Sequence, residues 1–339
     1  MESWLDKAGE KVVPGHVQIL LTYRCNLRCS HCYLHGTHER ELTANQWRDV
    51  LVDLRESGTF IIAYSGGELF LHDEWQRILT ETRNARFLVR IITNGTLITK
   101  NVASILALLG VSQVGITLFA LDAGVHDSIT GISGSHRSTM NAIANLEKHG
   151  VPIQIKTPIM LSNYSEYSSL HRWTEEQGFD AQIDTTITPR WRDNGHRRPR
   201  LSLPIKDQAD FYRQYILPRI AENTYSQDCP KEHDRFMCFV GCRSAVISPA
   251  GNVHPCAEWP LSCGNVTEAH FLHIWRHSPV FRRIRQIGHD GPPQCRECEL
   301  RPFCVPCPGI AFQETGDFMS CSPLVRERAL VRREATLNS

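Results

Sequence analysis

Cys25-Asn26-Leu27-Arg28-Cys29-Ser30-His31-Cys32 follows closely on an apolar, strand-like run from Val17 to Thr22. Three cysteines stand in CX3CX2C spacing, and no fourth is near them. A structural zinc or a fully ligated [4Fe–4S] cluster takes four protein ligands. Three thiolates leave one metal position open, and an open position is where chemistry can occur. Zinc is the rival occupant, and cysteines that merely pack in a core are the blander reading. Zinc sites usually pair CX2C or CX4C with a second pair about a dozen or more residues on. No such pair appears here before residue 200, so the spacing favours an iron–sulfur site.

The rest of the composition is ordinary. With 339 residues the chain is long enough for one large domain and a smaller one. It is 41% hydrophobic and 22% charged, typical of a globular protein with a sizeable core. A net charge of +1 argues against nucleic acid as the main partner. No run reaches the ~18 apolar residues of a membrane span, and the N-terminus lacks the basic-then-apolar pattern of a signal peptide. The expectation is a cytoplasmic protein with no membrane partner. Thiols stay reduced there, so the 13 cysteines read as metal ligands rather than disulfides. Three lie in the opening triplet and ten lie from Cys229 to Cys321, which predicts two separate cysteine-bearing modules.

Between Val17 and about residue 190, short β-rich runs alternate with longer amphipathic ones. Thr59–Tyr64, Phe87–Ile92, Val114–Leu118 and Ile153–Lys156 read as buried strands. Thr43–Ser57, Glu74–Asn84, Ala103–Leu109, Ser138–His149 and Ser165–Glu176 read as helices. Such alternation predicts an α/β fold of right-handed βαβ units around a parallel sheet, with ligand groups at the strand ends.

Those strand ends carry the candidate site residues. The second strand runs into Ser65-Gly66-Gly67-Glu68, where two glycines let the backbone approach a ligand and leave N–H and carbonyl groups free to bond it. An ordinary turn is the alternative. The third strand ends in Thr93-Asn94-Gly95-Thr96, which on local grounds is a capped turn before a helix. Thr117 closes the fourth strand, and the His126-Asp127 pair beyond it reads as helix-start capping. Lys156 ends the fifth, where an ammonium faces a cavity more readily than a core because burying it unpaired is costly. The basic run Arg190–Arg200 reads as solvated linker, with an acidic peptide or carboxylate as its rival partner. A polar helical connector, about Ile205–Asn223, follows.

Taken with this order of motifs, the triplet resembles the signature of the radical S-adenosylmethionine (SAM) superfamily. The resemblance implies a partial (β/α)6 radical SAM barrel in which Cys25, Cys29 and Cys32 hold a [4Fe–4S] cluster. Its fourth iron would chelate SAM and drive reductive cleavage to a 5'-deoxyadenosyl radical. The aromatic that usually precedes the third cysteine is His31, which can still stack on adenine. Gly66-Gly67-Glu68 is similar to the family's GGE motif, whose backbone meets the SAM ammonium, although the usual following proline is Leu69. Thr93 and Asn94 match the TNG turn on the nucleoside side. Thr117 stands where relatives use a serine on the SAM carboxylate or ribose. Lys156 is a possible SAM or substrate contact. Relatives carry an arginine shortly after the HD pair, whereas this chain has Ser128-Ile129-Thr130.

Beyond residue 235 the spacing is Cys238-X3-Cys242, Gly251-X4-Cys256, Cys295-X2-Cys298-X5-Cys304-X2-Cys307 and Cys321. Eight cysteines suit two four-thiolate sites, and thiolate sets alone leave two zinc ribbons open. This region resembles the SPASM extension, a C-terminal cysteine-rich iron–sulfur domain, which implies two auxiliary [4Fe–4S] clusters. Carried over, Cys238, Cys242, Cys256 and Cys307 would hold the first, and Cys295, Cys298, Cys304 and Cys321 the second. Cys229 and Cys263 have no place in the motif and read as structural. The expected boundaries are an N-terminal arm (1–15), the barrel (16–200), a connector (201–235), the SPASM domain (236–323) and a tail (324–339).

The resemblance implies an enzyme that takes hydrogen from carbon of a peptide or protein substrate and leaves it oxidised or cross-linked. Haem-type tetrapyrrole tailoring is the first alternative, and a non-catalytic iron–sulfur relay or zinc protein the second. An external flavodoxin- or ferredoxin-type donor is an implied partner. Because the triplet begins at residue 25, any leader-peptide reader is expected to be a separate protein.

Overall fold

A computed structural model describes residues 12–191, 201–218, 240–287 and 292–337. Six strands, β1 (His16–Thr22), β2 (Ile61–Gly66), β3 (Leu88–Thr93), β4 (Gln113–Thr117), β5 (Ile153–Pro158) and β6 (Asp180–Asp184), pair in parallel in chain order. Between them run α1 (Ala44–Glu56), α2 (Trp75–Asn84), α3 (Lys100–Leu108), α4 (Ala123–Thr130), α5 (Ser135–Lys148) and α6 (Tyr167–Glu176). The helix starts are written locally. Thr43 and Gln46 form a reciprocal capping box on α1, and the Thr99 and Asp122 side chains cap α3 and α4.

Alternation within each strand sorts its side chains onto two faces. On β5, Ile153, Ile155 and Thr157 are buried while Gln154 and Lys156 are half-exposed. The buried set joins Val17, Ile19, Trp47, Tyr64, Val89 and Ile116 in the main core beneath the helices. The other face carries polar groups such as Gln18, Arg90, Gln154 and Lys156 and forms the concave side of an open half-barrel.

The later strands extend this sheet rather than forming one of their own. β7 (Ser244–Ile247) runs parallel to β1, and β8 (Asn252–His254) and β9 (Gly264–Asn265) follow antiparallel. Among the described residues the order is β6-β5-β4-β3-β2-β1-β7-β8-β9. α8 (Phe271–His277) and α9 (Pro279–Ile287) pack Phe271, Trp275 and Phe281, all fully buried, into the same core.

Two segments depart from the expected picture. The connector helix α7 (Ile205–Phe211), continued by a π-helical turn over Tyr212–Ile216, is not simply polar: Phe211, Tyr215 and Ile216 are buried with Ile159 and Ile183. The expected tail is largely a 15-residue helix, Pro323–Leu337, which follows the helix Pro308–Thr315. Numbered α11 and α10 respectively, they close the chain, with Val331 and Ala335 of α11 packed against Ala209 of α7. No helix among the described residues is long and apolar enough to cross a membrane. Cys229, Cys238 and residues 192–200 of the basic run lie outside the described residues.

Candidate active site

The cysteine triplet leaves the C-terminal end of β1 as a loop fastened by its neighbours. The Arg28 and Ser30 N–H groups donate to the Thr130 and Ile129 carbonyls at the end of α4, at 2.8 and 3.0 Å. Arg24 forks onto Glu41, with Nε and Nη2 at 3.0 and 2.9 Å, and the Thr22 hydroxyl donates to the same carboxylate. Arg190 Nη2 reaches the Ser30 carbonyl at 3.2 Å, and the Trp191 N–H donates to the Tyr33 carbonyl at 3.1 Å. The start of the basic run is therefore bound to the triplet loop rather than free linker.

Gly66 and Gly67 work differently from the expectation that their N–H groups stay free. The Gly67 N–H donates to the Thr22 carbonyl at 2.7 Å, and the Glu68 N–H to the Arg24 carbonyl at 2.8 Å. A Cβ on Gly67 would lie 2.2 Å from the Arg24 oxygen, and one on Gly66 would lie 2.3 Å from the Thr22 oxygen. The absence of side chains is what lets the end of β2 touch the strand that feeds the cysteines.

Glu68 is fully buried and points away from any opening. Its carboxylate accepts from Thr93 Oγ1 at 2.8 and 2.7 Å and from the Asn94 N–H at 3.0 Å. Burial raises its pKa to about 7, against the opposing pull of these bonds. Thr93 also accepts from the Gly95 N–H at 2.9 Å. Asn94 Nδ2 donates to Asn26 Oδ1 at 3.0 Å and reaches Cys25 Sγ at 3.8 Å, while Asn26 Nδ2 donates to Thr96 at 2.8 Å. The turn is thus both capped locally and tied to the triplet.

Burial raises the pKa of all three thiols, that of Cys29 to about 12, and neighbouring thiols of the triplet add to the effect at Cys25 and Cys29. Cys25 Sγ accepts from the Leu27 N–H at 3.4 Å as well as from Asn94. Among the described residues no three His, Cys, Asp or Glu side chains converge on a single ion. A cubane, in which each protein thiolate takes its own iron, does not call for such convergence. Desolvated, mutually repelling thiols that already hold N–H donors fit a cationic iron–sulfur group. His31 beside them is pushed down to about 4 by burial, meets Phe119 edge-on at 5.2 Å, and keeps a buried Nδ1 with no hydrogen-bond partner.

Around the concave face, Thr117 and Lys156 are register partners on β4 and β5. Lys156 Nζ donates to Gln182, and burial lowers its pKa against the pull of Asp180. His126 and Asp127 lie in the middle of α4, not at its start. Asp127 accepts from Gly134 and His136 N–H groups at 2.5 and 2.8 Å and so caps α5, while His126 Nδ1 accepts from the Phe119 N–H at 3.3 Å. Thr130, near the expected arginine position, is fully buried and bonded to Ser135 at 2.7 Å.

In the C-terminal region, Cys295, Cys298, Cys304 and Cys321 line one cavity of about 210 Å³ with Arg301 and Arg326. Cys242 and Cys256 stand at the same end of the β7–β8 hairpin. A Cβ on Gly309, two residues after Cys307, would lie 3.5 Å from Cys256 Sγ. Cys263 is buried in the core near Ser278.

Sequence reading missed the groups that join the two regions. Tyr33, Trp191 and Ala257 pack with Cys32 against Leu20 and Val246. Burial raises the Tyr33 pKa first, then the charges of Glu258, Cys32 and Cys256. Glu258 takes a hydrogen bond from Thr188 and is raised by burial, with Asp184 nearby adding to the shift and Arg328 opposing it. Position was the available signal: Tyr33 follows the triplet and Glu258 lies two residues after Cys256.

The half-barrel, the fastened triplet and the gathered C-terminal cysteines together define an S-adenosylmethionine-dependent iron–sulfur enzyme. Residues 19–172 match the radical SAM superfamily and residues 238–299 the SPASM iron–sulfur cluster-binding domain, and the chain belongs to the radical SAM enzymes that carry this extension. It is 26% identical over 330 residues to the AdoMet-dependent heme synthase of Methanosarcina barkeri, covering 89% of this chain and 93% of that protein. It is 29% identical over 315 residues to the antilisterial bacteriocin subtilosin biosynthesis protein AlbA of Bacillus subtilis, covering 89% and 68%. In fold it is similar to SuiB of Streptococcus suis bound to S-adenosylmethionine, with a TM-score of 0.73 at 18% identity over 96% of this chain and 80% of that one.

Proposed function

We propose that the enzyme takes hydrogen from a carbon of a peptide or protein side chain and releases an oxidised or cross-linked product. Cys25, Cys29 and Cys32 would hold a [4Fe–4S] cluster, and that cluster would supply the electron for reductive cleavage of SAM. Glu68, Thr93 and Asn94 hold the loop that presents the thiols. Gly66, Gly67, Thr117, His31 and Lys156 line the approach in which SAM binds. Cys242, Cys256, Cys307 and Cys238 serve a first auxiliary cluster, and Cys295, Cys298, Cys304 and Cys321 a second.

A mixed-charge cluster between the sheet and α11 carries the peptide reading. Lys156, Asp184, Thr188, Glu258 and Arg328 are electrostatic or hydrogen-bond neighbours in series between the end of the sheet and α11, two cations and two carboxyl groups about one hydroxyl. Mixed charges of this kind suit amide groups and varied side chains, and the Asp184 carboxylate disfavours a flat macrocycle that bears several carboxylates of its own. The heme-synthase likeness supports the second reading, a tetrapyrrole substrate. To separate them, the reduced, reconstituted enzyme is incubated with SAM and either short peptides encoded beside its gene or an iron porphyrin. The peptide reading expects 5'-deoxyadenosine together with a peptide lighter by two hydrogens. A shifted Soret band with unchanged peptide mass would overturn it.

A further inference from the structure

We propose that the exposed face of α8 and α9 docks an acidic one-electron carrier protein directly over the cysteines of both auxiliary groups. The proposal rests on the radical SAM reading in one respect only: the cluster that cleaves SAM must first be reduced, and reduced again after any electron is lost, by an electron from outside the chain.

From Ala269 to Ile287 there are four arginines, three histidines and no acidic residue, in a chain whose net charge is only +1. His273, Arg276, His277, Arg282 and Arg283 are exposed, whereas Phe271, Trp275 and Phe281 are fully buried. The surface is thus basic and carries no exposed Phe, Tyr or Trp on which a nucleic-acid base could stack. None of the large exposed hydrophobic side chains among the described residues lies on it. Acidic groups stop at its margin: the Phe271 N–H donates to Asp53, and His270 Nδ1 lies 3.6 Å from the same carboxylate.

What lies beneath the face makes it more than a solvated charge run. Arg285, on the inner side of α9, donates from Nε to the Gly241 carbonyl at 2.6 Å, one residue before Cys242, and its guanidinium sits 4.6 Å from the Trp275 ring centre. A Cβ on Gly241 would meet Phe281 and Ile284 at 3.2 and 3.3 Å, so α9 lies flush on that loop. Arg283 sits 4.8 Å from the Phe318 ring centre, three residues before Cys321. One short basic helix therefore covers chain neighbours of a cysteine from each group. Docking there places a carrier close to both. The carrier gives up one electron and the chain takes it, with no bond broken and no proton moved. Positive charge without apolar anchors gives fast, salt-sensitive, short-lived association, as repeated electron delivery requires.

Flavodoxin serves as the probe, with wild-type holoenzyme compared with Arg276→Glu/Arg282→Glu and with Arg282→Glu/Arg283→Glu. Titration calorimetry should show wild-type affinity falling about tenfold or more between 50 and 300 mM salt, a range over which surface charge pairs are progressively screened. Both variants should bind at least about tenfold more weakly at low salt, with a flatter salt dependence. With dithionite as reductant, 5'-deoxyadenosine formation should match wild type within about twofold, because no residue of the cysteine sites has changed. Equal binding by wild type and variants, salt-independent binding, or binding of single-stranded DNA in place of flavodoxin would each overturn the proposal. If dithionite yields no 5'-deoxyadenosine from wild type, the radical SAM reading fails instead, and the binding data still judge the docking face.

Discussion

At the N-terminal triplet the thiols hang from a loop that β2, the β3 turn and α4 hold from three sides through hydrogen bonds of 2.7–3.0 Å. At the C-terminal quartet, Cys295, Cys298, Cys304 and Cys321 come from two single 3-10 turns and connecting loops around a cavity. The first site is shaped by the fold before any metal arrives. The second gathers its cysteines on short turns and loops, so metal binding there is expected to contribute to folding itself.

The contrast can be broken most directly with paired substitutions. Cys29→Ser should reduce SAM cleavage to background yet shift thermal unfolding of the metal-free chain by no more than about 2 °C, because the loop keeps its backbone bonds. Cys298→Ser should instead make residues 292–337 of the iron-loaded chain about tenfold or more sensitive to limited proteolysis. Equal loss of order in the two variants would erase the distinction.

Gly67→Ala tests the fastening of the first site. Its Cβ must displace the Arg24 carbonyl, only 2.2 Å away, so a loss of about 2–4 kcal/mol is expected in urea unfolding. A near-neutral result would mean that the triplet loop yields easily. Asn94→Ala removes the bonds to Asn26 and Thr96 and the contact with Cys25, and should cost about 1–2 kcal/mol. Its SAM cleavage should fall as well, and unchanged kinetics would detach Asn94 from the cysteine site.

Glu68 gives an effect that depends on pH. Its pKa rises from 4.5 to about 7 in the folded chain, so the folded state keeps a proton that the unfolded chain releases. Stability contributed by this group is therefore greatest below about pH 4.5, falls as pH climbs to about 7, and is level above. Glu68→Gln retains a carbonyl acceptor and should flatten the melting temperature of the metal-free chain between pH 5 and 7.5 by a few degrees. An unaltered slope would assign the pH dependence elsewhere.

Much of this could be read from residue order. The alternation that ends in Cys25, Gly66, Thr93, Thr117 and Lys156 anticipated five of the six parallel strands, because buried parallel strands are nearly continuous apolar runs. β6, Asp180-Ala-Gln-Ile-Asp184, escaped because only Ile183 among its five residues is buried. α4 escaped because it spans just two turns and carries the polar His126-Asp127 pair. The roles of Gly67 and Glu68 were hidden for another reason: they act through Arg24, Thr22 and Thr93, and only tertiary packing brings those partners together. The SPASM resemblance put Cys295, Cys298, Cys304 and Cys321 in one group, and all four line one cavity, whereas Glu258 and Arg328 carry no motif at all.

The parallel seam between β1 and β7 joins His16–Ile19 to Ser244–Ile247. Neighbouring strands keep about 4.8 Å between them, so the two halves of the chain share one ruler and no hinge divides them at that seam. A C-terminal half transplanted from another member of the family would have to be rewoven into this seam, strand by strand, before it could function.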